Sequence, residues 1–122
     1  MRKYLLLAGL LILAGCASES NPVDVVEAYF QAIIADETER LADLTCSAYE
    51  AQALTLATSF RNTGAELQDI SCQQSGTDGD YNIVQCQGKI VVQYQAELRE
   101  FPLSRYRIIE EDGAWRMCGE AS

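Results

Sequence analysis

The sequence lacks histidine altogether and has only two prolines and nine lysines and arginines among its 122 residues. Without histidine, Ser-His and Cys-His nucleophile pairs and the common zinc sites are excluded. The net charge is −9 and no run of basic residues occurs, so direct binding to nucleic acid or to anionic lipid headgroups is not expected. The sequence also contains no P-loop and no G-x-G-x-x-G motif, so nothing indicates a phosphate site.

A cationic start, an apolar run and small residues follow one another at the N-terminus. Arg2 and Lys3 precede the apolar run 4–13, which is shorter than the about 20 residues that cross a membrane and is typical of an export signal. The next residues complete the pattern Leu13-Ala14-Gly15-Cys16. This pattern resembles the lipobox of bacterial lipoproteins, in which the cysteine sulfur carries a diacylglycerol and cleavage occurs before it.

The resemblance implies a signal peptide at 1–15, a lipidated Cys16 and a short tether at 16–21. An ordinary signal peptide that happens to contain a cysteine is the alternative. Because one acyl chain binds a bilayer only weakly, two or three chains on Cys16 would make the attachment to the membrane stable. Ala17, rather than Asp, after the cysteine favours the outer membrane in a cell that has two membranes. Cleavage would leave 107 residues with a net charge of −11, enough for one domain, predicted at 22–119.

Four further cysteines, Cys46, Cys72, Cys86 and Cys118, lie in this domain. An even number of cysteines outside the cytoplasm indicates disulfides, and four cysteines allow three pairings. Cys72 and Cys86 flank a turn centred near Gly79 and would face each other, which favours Cys72–Cys86 and leaves Cys46–Cys118. A four-thiolate metal site is disfavoured because no C-x-x-C spacing and no histidine accompany these residues.

Helical signals fill the first part of the domain. Asn21 is placed to cap a helix that begins at Pro22, and apolar residues recur at three- and four-residue steps to Ala35. Asp36 and Ser47 are each followed three residues later by Glu, which predicts two further helices that begin with capping boxes. Gly64 is suited to the end of the third helix.

Period-two patterns then indicate strands. Residues 66–74 form the first, in which the out-of-phase Leu67 indicates a bulge or the strand's start, and a turn follows at 76–80. The clearest alternation runs from Val84 to Tyr94, with one packed face and one mostly wet face. Further strands are predicted at 101–108, with a slip in phase near Ser104, and at 114–118. Helices followed by antiparallel strands predict an α+β fold.

Three features together resemble the nuclear transport factor 2-like fold, also called cystatin-like. They are the helix Val25–Ile33, the second helix that follows Asp36, and the closing segment Asp112-Gly113-Ala114-Trp115-Arg116. In particular, the chain is similar to small lipoprotein domains of unknown function that adopt this fold. The resemblance covers about residues 21–118. It implies N-terminal helices packed on a curved antiparallel sheet, which together form a cone.

These patterns favour a non-enzymatic binding or accessory module, with no cofactor and no metal. The concave space between sheet and helices could hold a small apolar ligand, and an envelope protein is the alternative partner. The segment Asp78-x-Asp80-x-Asn82 begins like a calcium loop, but Ile83 and Lys89 stand where such a loop has Gly and Glu, so we expect a solvated turn.

Two other classes of function stay open. One is an enzyme like ketosteroid isomerase, which places a Tyr and a carboxylic acid inside the cone. The tyrosines that could serve are Tyr29, Tyr49, Tyr81, Tyr94 and Tyr106, and the nearest acids are Glu97 and Glu100. The motifs of that activity are absent, so no catalytic residue is assigned. The other class is an envelope protein that acts through its outer sheet face, where Val91 is an unusual apolar residue.

Overall fold

The computed structural model describes residues 21–122, which form three helices and then five antiparallel strands. The helices are α1 (Pro22–Ala35), α2 (Thr38–Leu44) and α3 (Glu50–Ser59), and the strands are β1 (Glu66–Asp78), β2 (Tyr81–Tyr94), β3 (Glu97–Pro102), β4 (Arg105–Glu111) and β5 (Ala114–Glu120). The predicted signal peptide, with Leu13, Ala14 and Gly15, and the predicted lipidation site Cys16 lie outside the described residues. Within 21–122, no helix has the length and apolar character needed to cross a membrane.

Helix α1 begins and ends where the sequence predicts. The Asn21 side chain accepts a hydrogen bond of 2.9 Å from the Asp24 backbone N–H, and Pro22 occupies the first turn. The predicted apolar stripe is buried at Val26 and Phe30, and Tyr29 on the neighbouring side is buried as well. The buried surface is therefore wider than one stripe, because α1 packs on the sheet and also contacts α2 and α3.

Both predicted capping boxes are wrong, although the two helices exist. Asp36 has a left-handed backbone (φ 55°) and ends α1, and its carboxylate accepts a bond of 2.8 Å from Arg61. Ser47 lies before α3, where its backbone N–H donates to the Glu111 carboxylate at 3.1 Å and its hydroxyl donates to the same carboxylate at 3.4 Å. Each of these side chains is engaged by a distant residue, so neither is available to cap the helix that follows it.

The five strands form one curved antiparallel sheet. Its strand order is β1-β2-β4-β5. Strand β4 pairs with the first half of β2, and β3 pairs with the second half of β2. The helices cover the face that carries Val84, Ile90, Val92, Ile108 and Met117, all buried. This confirms the α+β fold and the packed face predicted for β2. Strand β5 ends at Glu120, one residue past the predicted end of the domain.

Of the two interpretations of the out-of-phase Leu67, a bulge or the start of the strand, the structure has a bulge at Asp69, which has φ 55° and lies where the register with β2 shifts. The bulge brings Leu67 and Ile70 to the same core despite their odd separation. Gly88 of β2 lies opposite, with φ 102° and with the backbone oxygens of Gln68 and Asp69 only 2.7 Å from the position that a Cβ would occupy. Only glycine allows the two strands to approach this closely.

Two disulfides join the pairs that the sequence favoured. Cys72 and Cys86 are direct cross-strand partners on β1 and β2, and their Cα atoms lie 4.0 Å apart. Cys46 bonds to Cys118 across a separation of 72 residues and ties the segment after α2 to β5. A hydrogen bond of 2.9 Å from the Cys46 backbone N–H to the Met117 carbonyl strengthens the same junction.

Candidate functional site

A cavity of about 220 Å³ lies between the helices and the sheet. Apolar side chains from both layers form most of its wall: Phe30, Leu56, Phe60, Ile90, Phe101 and Met117. Phe60 and Phe101 contact each other edge to face, with ring centroids 5.7 Å apart, and join α3 to β3. Phe101 and Glu120 line the cavity and are also exposed to solvent, so the cavity opens on their side.

Three tyrosines add hydroxyl groups to this apolar wall. Tyr29 comes from α1, Tyr49 from the residue before α3, and Tyr106 from β4. The Tyr49 ring lies against the backbone of Gly119, where a Cβ would be 3.3 Å from ring carbons. Gly119 has φ 112°, a conformation that side chains rarely adopt, so this glycine permits the approach of the tyrosine.

The Tyr29 hydroxyl is buried and has no hydrogen-bond partner among the described residues. Burial strongly raises the pKa of Tyr29, since the phenolate would be poorly solvated. The neighbouring Tyr49 raises this pKa further, although the two hydroxyls do not form a hydrogen bond of normal geometry. Tyr29 is therefore held as a neutral phenol whose hydroxyl is closed off from solvent.

Tyr106 differs from Tyr29 because its hydroxyl is already engaged. It accepts a hydrogen bond of 2.9 Å from the Ser104 backbone N–H, and its ring packs edge to face on Phe30. Burial raises the pKa of Tyr106, and the bonds from Ser104 oppose this effect in part. Glu120, opposite Tyr106 in the sheet, accepts a hydrogen bond from the Ser104 hydroxyl.

The structure brings together three of the five tyrosines considered from sequence. Tyr94 instead donates to the Ser59 carbonyl at 3.4 Å, and Tyr81 lies beneath the Arg107 guanidinium. Glu97 and Glu100, the acids expected nearest the cone, are exposed on β3 and do not line the cavity. Glu120 does line it and was missed, because it follows Gly119 at the end of β5, where no alternation signals its position.

The segment 78–82, which begins like a calcium loop, forms the tight hairpin between β1 and β2. Across residues 21–122 there is no group of three or more His, Cys, Asp or Glu side chains that could hold a metal ion.

No protein-family model matches the chain, and no curated protein matches it. Among solved structures, it is similar to an uncharacterized protein with a cystatin-like fold from Caulobacter vibrioides. The two share 16% identity over 79% of this chain and 82% of that chain, with a TM-score of 0.47.

Proposed function

We propose that the chain is a lipid-anchored extracytoplasmic lipoprotein whose domain binds a small, mainly apolar molecule in the cavity between helices and sheet. The observation that carries this proposal is the cavity itself, because an open recess of about 220 Å³ with mainly aromatic and aliphatic walls is the kind of site that small apolar molecules occupy. The domain acts as a binding or accessory module and not as an enzyme. An envelope protein bound through the surface is the alternative partner.

The anchoring part of the proposal rests on Leu13-Ala14-Gly15-Cys16 and is supported by the two disulfides. Disulfides persist in oxidising compartments, which is where an exported lipoprotein resides. Cys16 would hold the lipid on the extracytoplasmic side, in the outer membrane if the cell has two membranes. A Cys16→Ser chain should lose incorporated palmitate and leave the membrane fraction, whereas a Ser18→Ala control should keep both. Palmitate labelling of the Cys16→Ser chain would contradict this assignment.

Binding is favoured over acid–base catalysis by the environment of the acid at the cavity. Glu120 is exposed and already accepts a hydrogen bond from Ser104. Catalysis of the kind that uses the cone of helices and sheet needs a carboxyl group held in an apolar site beside a tyrosine donor. Glu120 does not occupy such a site.

Native mass spectrometry of residues 17–122, purified gently from the organism of origin, tests ligand binding. These residues retain every described helix and strand and both disulfides. We expect a reproducible extra mass that is lost on denaturation. Leu56→Trp, which places a larger ring in the cavity, should abolish the extra mass, whereas Leu54→Trp on the exposed side of the same helix should keep it. A bare mass in every preparation would contradict ligand binding and favour a surface partner.

A further inference from the structure

The outer face of the sheet, turned away from the helices, carries a polar surface that extends over three neighbouring strands. Val84 and Cys86 of β2 belong to the core, so Gln85 and Gln87, which alternate with them, point outward. Directly opposed residues of antiparallel strands share a face, as do residues two positions apart on one strand, so the register extends this face to β1 and β4. Six residues form this surface, which we call the outer platform: Ser71, Gln73, Gln85, Gln87, Arg105 and Arg107.

The outer platform has hydrogen-bonding groups that the domain itself does not use. Its four uncharged residues are exposed and surround a recess of about 350 Å³, which is within the size range of small-molecule sites. None of these four side chains forms a hydrogen bond within residues 21–122. Each glutamine amide offers two N–H donors and an acceptor oxygen, and neighbouring strands hold them about 5 Å apart across the sheet. A ligand with several hydroxyl groups matches this mixture of donors and acceptors.

The two arginines add positive charge that the domain does not neutralise. Arg105 and Arg107 form no ion pair with a carboxylate side chain of residues 21–122, although the full chain has 18 acidic residues. Arg105 donates one hydrogen bond of 3.1 Å, to the Ser122 backbone oxygen. The Arg107 guanidinium lies 5.5 Å from the centre of the Tyr81 ring, and its Nε is buried without a partner in the described part of the chain. Both guanidinium groups therefore retain N–H donors for an anion.

The composition of the outer platform differs from that of a sheet face that is only solvated. Opposite charges on neighbouring strands stabilise such a face, and Lys89 of β2 forms such a contact with Glu100 of β3 at 2.7 Å. The cross-strand partners within the outer platform include no pair of opposite charges. Acidic residues elsewhere on the domain repel an anion only weakly, since charges are screened beyond about 8 Å at physiological ionic strength. An anion that also carries hydroxyl groups complements both the arginines and the amides.

We propose that the outer platform binds an acidic saccharide, a sugar chain that carries carboxylates. The two arginines bind the carboxylates, and the three glutamines bind the ring hydroxyls. The site lies on the opposite side of the sheet from the cavity, so this inference does not depend on the proposed function. Because the surface is open and hydrated, we expect a short saccharide to bind with a Kd of about 1 mM.

NMR titrations of ¹⁵N-labelled residues 17–122 with three probes test the class of ligand. Trigalacturonate has carboxylates on sugar rings, maltotriose has the rings without carboxylates, and tricarballylate has the carboxylates without rings. Trigalacturonate should shift the backbone amide signals of the outer platform and bind at least about tenfold more tightly than the other two. Equal binding of maltotriose would overturn the acidic class, and equal binding of tricarballylate would overturn the saccharide class. If about 10 mM trigalacturonate, enough for about 90% occupancy at this Kd, causes no shift, the site itself is refuted.

Two substitutions test the roles of the arginines and the amides. Arg107→Gln should weaken trigalacturonate binding about three- to tenfold through the loss of a charge-assisted contact, and Gln85→Ala about two- to fivefold through the loss of a neutral one. Arg99→Gln and Gln93→Ala are the matched controls, because they change exposed residues outside the outer platform, and neither should alter binding. If each control weakens binding as much as its counterpart, the contacts are nonspecific and the proposal is overturned.

Discussion

Replacement of Tyr29 by Phe should stabilise the domain in the absence of ligand. The side chain is fully buried and its hydroxyl lacks a partner among residues 21–122, so the native state carries the desolvation penalty of that group, about 1–3 kcal/mol. Phe keeps the ring and its edge-to-face contact with Phe30 at 4.9 Å. After allowance for the small void, we expect the free energy of unfolding to rise by about 1 kcal/mol. For a domain of this size, that corresponds to an increase in Tm of about 4–8 °C.

Tyr106→Phe is the matched control, because the chemical change is the same and Tyr106 is also buried, at 7% exposure. Its hydroxyl accepts the Ser104 backbone N–H, so the loss of the hydroxyl leaves a donor unpaired and should lower the free energy of unfolding by about 1 kcal/mol. Urea unfolding followed by circular dichroism at pH 7 measures both changes, provided that the m-values are equal. If Tyr29→Phe destabilises as much as Tyr106→Phe, the Tyr29 hydroxyl has a partner, such as a bound water, and the reasoning fails.

Three further perturbations test the fold. Replacement of Cys46 and Cys118 by Ala should lower the free energy of unfolding by about 4 kcal/mol, since the disulfide closes a loop of 72 residues, and a loss below about 1 kcal/mol in urea unfolding would contradict the entropic argument. Gly88→Ala should lower the free energy of unfolding more than Gly64→Ala does. A Cβ at position 64 meets no neighbouring atom, so Gly64→Ala carries mainly the cost of a left-handed backbone, about 1–2 kcal/mol. Equal losses in the two variants would refute the close contact between β1 and β2 at Gly88. Because burial raises the pKa of Tyr29 above its value of about 10 in the unfolded chain, only the unfolded state releases this proton, and the free energy of unfolding falls as the pH rises above about 10. Tyr29→Phe should therefore flatten the alkaline loss of stability, and an unchanged slope would show that Tyr29 does not titrate on unfolding.

Much of the fold could be predicted from local patterns. The boundaries of α1, the long alternating strand β2 and the bulge near Leu67 follow from periodicity, because one face of each element is buried. Capping failed at Asp36 and Ser47 because the Asp36 carboxylate binds Arg61 and the Ser47 hydroxyl binds Glu111, both distant in sequence. Local rules do not include such partners.

The candidate site was less accessible to sequence reasoning than the fold. The tyrosines could be identified as candidates. Which of them line the cavity and which lie at the surface depends on how the helices cross the sheet. Glu120 escaped notice because the register of β5 shifts between Ile108 and Tyr106, which moves the last residues of the strand relative to β4. The unpartnered state of the Tyr29 hydroxyl is likewise a property of packing and leaves no mark on the sequence.

The junction between Cys46 and Cys118 determines which part of the domain can open. It combines a covalent bond with the hydrogen bond between Cys46 and Met117, so the helices cannot separate from β5 without breaking both. The opposite rim of the cavity is held by noncovalent contacts, among them the Phe60–Phe101 ring pair and the hydrogen bond of 2.9 Å from the Gln93 backbone N–H to the Thr63 carbonyl. We therefore expect the larger fluctuations at α3 and β3. We expect a molecule that entered the cavity through this rim to exchange at a rate that single substitutions in these side-chain contacts would change.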